Sequence, residues 1–467
     1  MLFQTGVIEG FYGRPWTATQ RHRLFGWMRQ GGLTTYVYAP KDDVKHRTRW
    51  RLRYTSKEAD DLRKLIADAR RHGIDWVYAL GPGLDIEHGA PKDAADLRRR
   101  AEQLLALGVR HFALLFDDIA PQLSPADRAR FPSVAAAQAW FANQFLHWLR
   151  EQAREVSLWF CPTPYCARMC EPSVSESVYL RDLGELLAPE VDVFWTGPEI
   201  VSESISIPSM RELSSLLRRP PLIWDNLYAN DYDLRRIYFG PYSGRPAALK
   251  EATRGILINP NCEFDLNFVP IHTLAAYARN NSVWNLRTIH EAWRQAIRDW
   301  IPEFHALEPT LISEADVTLL ADCFYLPYSL GPTSQSWLLD FGRLLGEPKL
   351  LGGPIERRFR ATGRAIQQLF DRLTALTNRD LLYSLYRHVW ELKEEVSLML
   401  RYLDWLKSNP LPGAAYFSGE HRAGTYRGGL VAELQRLLPM DADGGFNHLV
   451  AQPWNEVVQP RMDTNGH

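Results

Sequence analysis

Cysteine is scarce, no apolar run is long enough to span a bilayer, and neither sign of charge predominates; each shortage removes a class of function. The 467 residues hold five cysteines, Cys161, Cys166, Cys170, Cys262 and Cys323. That number is odd, and no histidine or cysteine neighbour gives the first three a zinc-finger spacing. They read as reduced thiols of a cytoplasmic protein rather than as a disulfide framework or a metal site. No stretch of about 18 uninterrupted apolar residues occurs, and MLFQT leads into the strand-like GVIEGF without a charged-then-apolar leader. No membrane association is expected. The 54 basic and 55 acidic side chains leave a formal charge of −1, so no global field draws the chain onto nucleic acid or an anionic surface. No nucleic-acid partner is expected. Phosphate loops and metal-ligand motifs are missing as well, so catalysis is expected to need neither metal nor cofactor.

What is present is a rhythm. Hydrophobic residues make up 46% of the chain and charged ones 23%, a globular balance, and the length suggests two domains. Apolar, β-branched or aromatic runs recur at GVIEGF (6–11), TTYVYAP (34–40), DWVYALGPG (75–83), HFALLFDD (111–118), VSLWFCPT (156–163), VDVFWTGP (191–198), PLIWDN (221–226) and GILINPN (255–261). They are apolar throughout rather than alternating, as parallel strands covered on both faces must be. Between them lie amphipathic segments with helix punctuation. Thr17 with Gln20 and Thr55 with Glu58 fit the capping box, Gly73 and Gly108 stand where a left-handed terminator is wanted, and Leu62, Leu65, Ile66 and Ala69 form one apolar stripe. Eight such alternations over roughly 280 residues match a (β/α)8 barrel; a doubly wound open sheet is the alternative. Barrels carry their chemistry on the loops at the strand C-termini, and here those ends hold Gly10, Lys41 with Asp42, Asp85, Asp117 with Asp118, Tyr165, Thr196, Asp225 with Asn226, and Asn259.

Strand signals fade after about residue 285. Residues 1–285 are therefore expected to form the catalytic barrel, 286–451 an all-α bundle, and 452–467 a loosely ordered tail. Leu382, Leu385, Val389, Leu392, Val396, Met399, Leu403 and Leu406 alternate at steps of three and four, a heptad seam that suits a bundle core and, together with the apolar segment GGLVAELQRLLP (428–439), a homodimer.

Asp117 and Asp118 close the fourth strand. Two adjacent carboxylates in a closed pocket cannot both ionise freely, so one tends to hold its proton and can act as an acid. Ordinary glycosidases instead set their carboxylates ~5–9.5 Å apart, across the sugar ring. Neighbouring residues suit a substrate with a 2-acetamido group. Its carbonyl oxygen attacks the anomeric carbon to give an oxazoline, while one carboxylate holds the acetamido N–H and the other protonates the leaving oxygen.

GVIEGFYGRPW, YAPKDDVKHR, FALLFDDI, FCPTPYC, WTGP, IWDNLYANDYD and NPNCEF occur in this order, and the chain resembles the O-GlcNAcase family of glycoside hydrolases, named hyaluronidase-like in older descriptions. The likeness runs on into DCFYLPYSLGP and YRGGLVAELQRLLP, similar to the helical stalk of that family. The resemblance implies a retaining exo-β-N-acetylglucosaminidase acting through an oxazoline on O-linked N-acetylglucosamine, in modified serine or threonine of proteins. It implies Asp118 as general acid and base and Asp117 as the holder of the acetamido group. Tyr165, Cys161 and Trp224 would line the N-acetyl pocket, and Asn226 would support the Asp117 side. Lys41 and the backbone of Gly10 would meet the 3-hydroxyl, Asp231 and Asn259 the 4- and 6-hydroxyls, and Tyr232 would flank the site. Glu9, Asp42, Asp43, Asp85 and Glu263 are taken as structural neighbours. A hexosaminidase for small N-acetylglucosaminides remains open. So does a silent sugar-binding protein, although such a protein has no need of the intact Asp117, Asp118 and Tyr165 set.

Overall fold

In a computed structural model describing residues 3–408 other than 234, 281 and 282, the eight apolar runs become eight strands. They are β1 (Gln4–Glu9), β2 (Thr35–Tyr38), β3 (Asp75–Leu80), β4 (His111–Leu115), β5 (Ser157–Cys161), β6 (Asp192–Trp195), β7 (Leu222–Asp225) and β8 (Gly255–Ile258). All pair in parallel and in chain order, and β8 returns to β1 through Gly6↔Leu257, so the sheet is a closed barrel rather than an open one.

The apolar character of both strand faces now has a reason. On β4, Phe112 and Leu114 face the surrounding helices, in register with Phe116 beyond the strand end, whereas Ala113 and Leu115 face the lumen. The same parity sends Ile8, Val37, Val77, Trp159, Phe194, Leu222 and Leu257 inward. These side chains fill the barrel rather than leaving a pore. Large rings crowd one side: Phe194 lies edge-on to both Trp159 and Trp224, with centroids 5.6 and 5.4 Å apart.

Local signals set the helices. The helices Ala18–Gly31 and Ser56–Arg71 each begin with the full capping box read from Thr17 and Thr55. Gly73 and Gly108 take φ of 73° and 99°, the left-handed region in which a side chain is costly.

Beyond β8 the described elements are helices and short helical turns. The helix Leu286–Trp300 packs onto the barrel layer, where Trp293 Nε1 donates to the Phe239 carbonyl at 2.7 Å. The chain divides into two compact units, Met1–Leu339 with Ala365–Glu391, and Asp340–Arg364 with Leu392–His467. Within the second, Arg358 grips Asp340 through two hydrogen bonds of 2.7 and 2.5 Å. The heptad residues lie on one helix, Arg379–Ser408, where Leu382, Leu385, Val389, Val396 and Leu403 are all at most 2% exposed. The segment 428–439 and the tail 452–467 lie outside the described residues. Among those described, no helix is long and apolar enough to cross a membrane.

Candidate active site

Strand parity also decides which rim residues enter the lumen. Counting two places beyond an inward core residue leads from Ile8 to Gly10, Ala39 to Lys41, Leu115 to Asp117, Phe194 to Thr196, Trp224 to Asn226 and Leu257 to Asn259. All eleven residues singled out in the sequence line one cavity of about 330 Å³ at this end of the barrel. Tyr12, Thr196, Ile200, Val201 and Ala229 complete its wall. The packed lumen beneath closes it, so the cavity is blind. Gly10 is a steric requirement, because a Cβ there would come within 2.3 Å of the Trp224 ring.

Parity alone would turn Asp118 outward, with Phe112, Leu114 and Phe116. The backbone prevents this. Asp118 has a φ of 52°, a left-handed conformation costing a non-glycine residue ~1–2 kcal/mol, and it lines the same cavity as Asp117. Contacts from three loops hold the turn. Arg47 Nη2 donates to the Asp118 carbonyl at 2.8 Å, and Arg47 Nη1 donates to the Tyr12 hydroxyl. Tyr12 and Tyr165 donate in turn to the two Asp118 oxygens, at 2.9 and 2.8 Å. Both phenols are pushed far above their ordinary range, first by burial and then by the charge of Asp118, and so remain donors.

Asp117 is completed on one side only. Its Oδ2 takes the buried Lys41 ammonium, which also sits 5.5 Å from the centroid of the Trp224 ring. Its Oδ1 is buried and, among the described residues, meets no hydrogen-bond donor. Asn259 Oδ1 is in the same condition, although Asn259 Nδ2 donates to Asn226 Oδ1 at 3.0 Å and Asn226 Nδ2 to the Ile200 carbonyl at 2.8 Å. Asp231 accepts the Tyr12 N–H at 2.9 Å. Burial, reinforced by Asp118, raises the Asp231 carboxyl above its ordinary range despite that bond. Cys161 is buried with its thiol pushed well up by that burial, and Tyr232 stands half exposed at the mouth, its hydroxyl 2.8 Å from that of Tyr238.

The residues set aside in the sequence have other duties. Glu9 binds Arg21 outside the lumen, Asp42 accepts the Gly13 N–H, Asp43 the Tyr38 hydroxyl, Asp85 the Arg51 guanidinium and Glu263 that of Arg387. Tyr12 and Arg47 were missed, although each lies inside a motif quoted above; the parity count from Ile8 through Gly10 would have found Tyr12. Only the fold shows Arg47 reaching Asp118 across 71 residues. Its loop is pinned by His46, which is wholly buried, bonds the Ala79 carbonyl through Nδ1 at 2.7 Å, and is held neutral with a pKa lowered to about 3, by burial first and Lys41 next.

Comparison with known proteins gives this geometry its setting. The sequence model of a family described as beta-N-acetylglucosaminidase matches residues 5–311. The protein O-GlcNAcase of Rattus norvegicus is 30% identical over a 654-residue alignment that takes in 97% of this chain and 70% of that one. Its counterpart in Mus musculus is 29% identical over 652 residues with the same coverage, 97% and 70%. Among solved structures, a mutant O-GlcNAc hydrolase of Thermobaculum terrenum superposes with a TM-score of 0.76 at 26% identity, covering 86% of this chain and 84% of that chain. The protein CpGH84B gives a TM-score of 0.72 at 26% identity, over 87% and 69%. The family match spans every barrel strand but the first residue of β1, and the likeness of fold and sequence carries on past it: the chain belongs to the β-N-acetylglucosaminidase family and is a glycoside hydrolase.

Proposed function

We propose that the enzyme removes O-linked N-acetylglucosamine from serine and threonine of proteins, with retention, using the sugar's own acetamido oxygen as nucleophile. The observation that carries this reading is the unpartnered, buried Oδ1 of Asp117 beside a Lys41-bound Oδ2. A buried acceptor without a donor costs ~1–3 kcal/mol, and an acetamido N–H is a donor that would complete it. With that N–H held, the acetamido carbonyl oxygen bonds to the anomeric carbon as the glycosidic C–O bond breaks. Asp118 gives its proton to the departing oxygen, the acetamido N–H proton passes to Asp117, and a neutral oxazoline remains. Water then bonds to the same carbon and gives a proton to Asp118, Asp117 returns its proton to the nitrogen, and the oxazoline C–O bond breaks to restore the acetamido group. Two inversions give the β-anomer. The blind cavity suits a terminal sugar, and Asn259 Oδ1 and Asp231 are acceptors placed for its hydroxyls.

Hydrolysis of an O-N-acetylglucosamine-modified peptide, run beside an aryl N-acetylglucosaminide and followed by NMR, tests this reading. Turnover of both with the β-anomer appearing first is expected. An α-anomer first would overturn the oxazoline route, and an inert peptide beside a good aryl substrate would favour small glycosides as the natural ones.

A homodimer is part of the proposal. Five of the eight heptad residues are buried within the chain, so its support comes from Tyr383, Tyr386 and Trp390, 66, 45 and 43% exposed along one side of the same helix. Light scattering of the full chain should give twice the chain mass, reduced by Trp390→Asp. We also place the protein in the cytoplasm, a reading supported by five unpaired thiols, three of them buried.

A further inference from the structure

A second cavity, of about 650 Å³, lies apart from the catalytic groups, between the helices Ala18–Gly31 and Ser56–Arg71, with His22 and Asp68 in its wall. His72 approaches these two residues. One nitrogen of each ring and one oxygen of Asp68 lie within 4.8 Å of one another. His22 Nδ1 is 2.7 Å from Asp68 Oδ2, His72 Nδ1 is 3.6 Å from Asp68 Oδ1, and the two rings stand edge-on with centroids 5.3 Å apart. The cluster is invisible to motif spacing because His22 comes from another helix, 46 residues before Asp68.

We propose that His22, Asp68 and His72 bind a divalent transition metal of the zinc class, which staples the first helix of the barrel to the second and takes no part in hydrolysis. Two imidazoles and one carboxylate are a donor set such ions favour. Asp68 and His72, four residues apart at the end of one helix, lie on the same face. Bonds of about 2.1 Å set tetrahedral ligand atoms about 3.4 Å apart, so the cluster must close further to bind. The His22 side chain, 62% exposed, is free to make that movement. Three protein ligands leave a position for water, so binding is expected to be reversible. One cation competes: Arg71 Nη2 lies 2.8 Å from Asp68 Oδ1, on a side chain 68% exposed.

The test is titration of untagged, chelator-stripped full-length protein with Zn²⁺ by calorimetry and with Co²⁺ by absorption, with melting temperature read in parallel. One equivalent should bind at micromolar strength, and Tm should rise with metal concentration. His22→Ala should weaken binding at least about tenfold and abolish the Tm rise, while its metal-free Tm and its turnover of an aryl N-acetylglucosaminide stay those of the parent. Arg71→Gln should tighten binding several-fold, a gain that a purely structural histidine–aspartate contact would not produce. Unchanged binding in His22→Ala, a thiolate charge-transfer band in the Co²⁺ spectrum pointing to the cysteines, or no saturable binding below about 1 mM would each overturn the proposal.

Discussion

Asp117 on the lumen side of the barrel wall and Asp225 and Glu9 on its outer side are all buried and differently completed. On the outer side, Asp225 and its partner Arg245 are wholly inaccessible. Asp225 Oδ1 accepts from Arg245 Nη2 at 2.6 Å and Leu227 N at 3.1 Å, and Oδ2 from Arg245 Nε and the Tyr242 hydroxyl, both at 2.7 Å. Glu9 is likewise saturated by Arg21, Trp16 N and Tyr36. On the lumen side, one residue beyond the parity that buries Asp225, the rim leaves Asp117 Oδ1 and Asn259 Oδ1 without donors among the described residues and holds Asp118 in a left-handed turn. These two outer carboxylates have every oxygen engaged, as expected where an orphaned one destabilises the fold. The lumen tolerates the defect where a substrate can remove it.

The sharpest break of this comparison is expected at Asp118. Asp118→Ala should lower kcat by about 10²- to 10⁴-fold for a poor leaving group such as a serine oxygen, and far less for an activated nitrophenolate that departs without a proton. Added azide should rescue the variant on the activated substrate. Asp117→Asn should cost roughly 10²- to 10³-fold whatever the leaving group, through lost electrostatic stabilisation of the acetamido group, without rescue. Identical leaving-group dependence in the two variants would remove the distinction between them.

On the other side of the wall the expected loss is of stability. Asp225→Asn leaves Arg245 buried and unpaired, which should cost about 3–5 kcal/mol, measured by urea denaturation, while the folded enzyme keeps a kcat within a few-fold of the parent. A severe fall in kcat with unchanged stability would mean that the outer carboxylate belongs to the chemistry after all.

How much of this was legible beforehand follows from the range of the forces involved. The strands and their order were legible because each run had to be apolar on both faces, and the capping boxes at Thr17 and Thr55 because they involve neighbours three residues apart. The candidate site was legible as a set because strand ends converge in a barrel and because the motifs resemble a known family. Pairing was not. That Lys41 would neutralise Asp117 rather than stand apart from it, and that His22 would meet Asp68, depend on contacts 76 and 46 residues apart. The left-handed turn at Asp118 left no mark either, since the usual signal for such a backbone is a glycine or asparagine.

The smallest effect should come from the pair that holds this turn. Arg47 touches the Asp118 carbonyl and the Tyr12 hydroxyl, and Tyr12 touches the Asp118 carboxylate, so both act through one residue and should act as positioning groups. Removing one such hydrogen bond, worth about 1–1.5 kcal/mol, should reduce kcat by roughly tenfold in Arg47→Ala and somewhat less in Tyr12→Phe, with little change in KM. Because the two share a target, the double variant should fall about as far as Arg47→Ala alone rather than by the product. The decisive background is Asp118→Ala. There Arg47→Ala should cost nothing further on an activated substrate, since the carboxylate it positions is gone. A full tenfold loss in that background would show that Arg47 serves the sugar or another part of the rim, and the account of the strained turn as its purpose would fail.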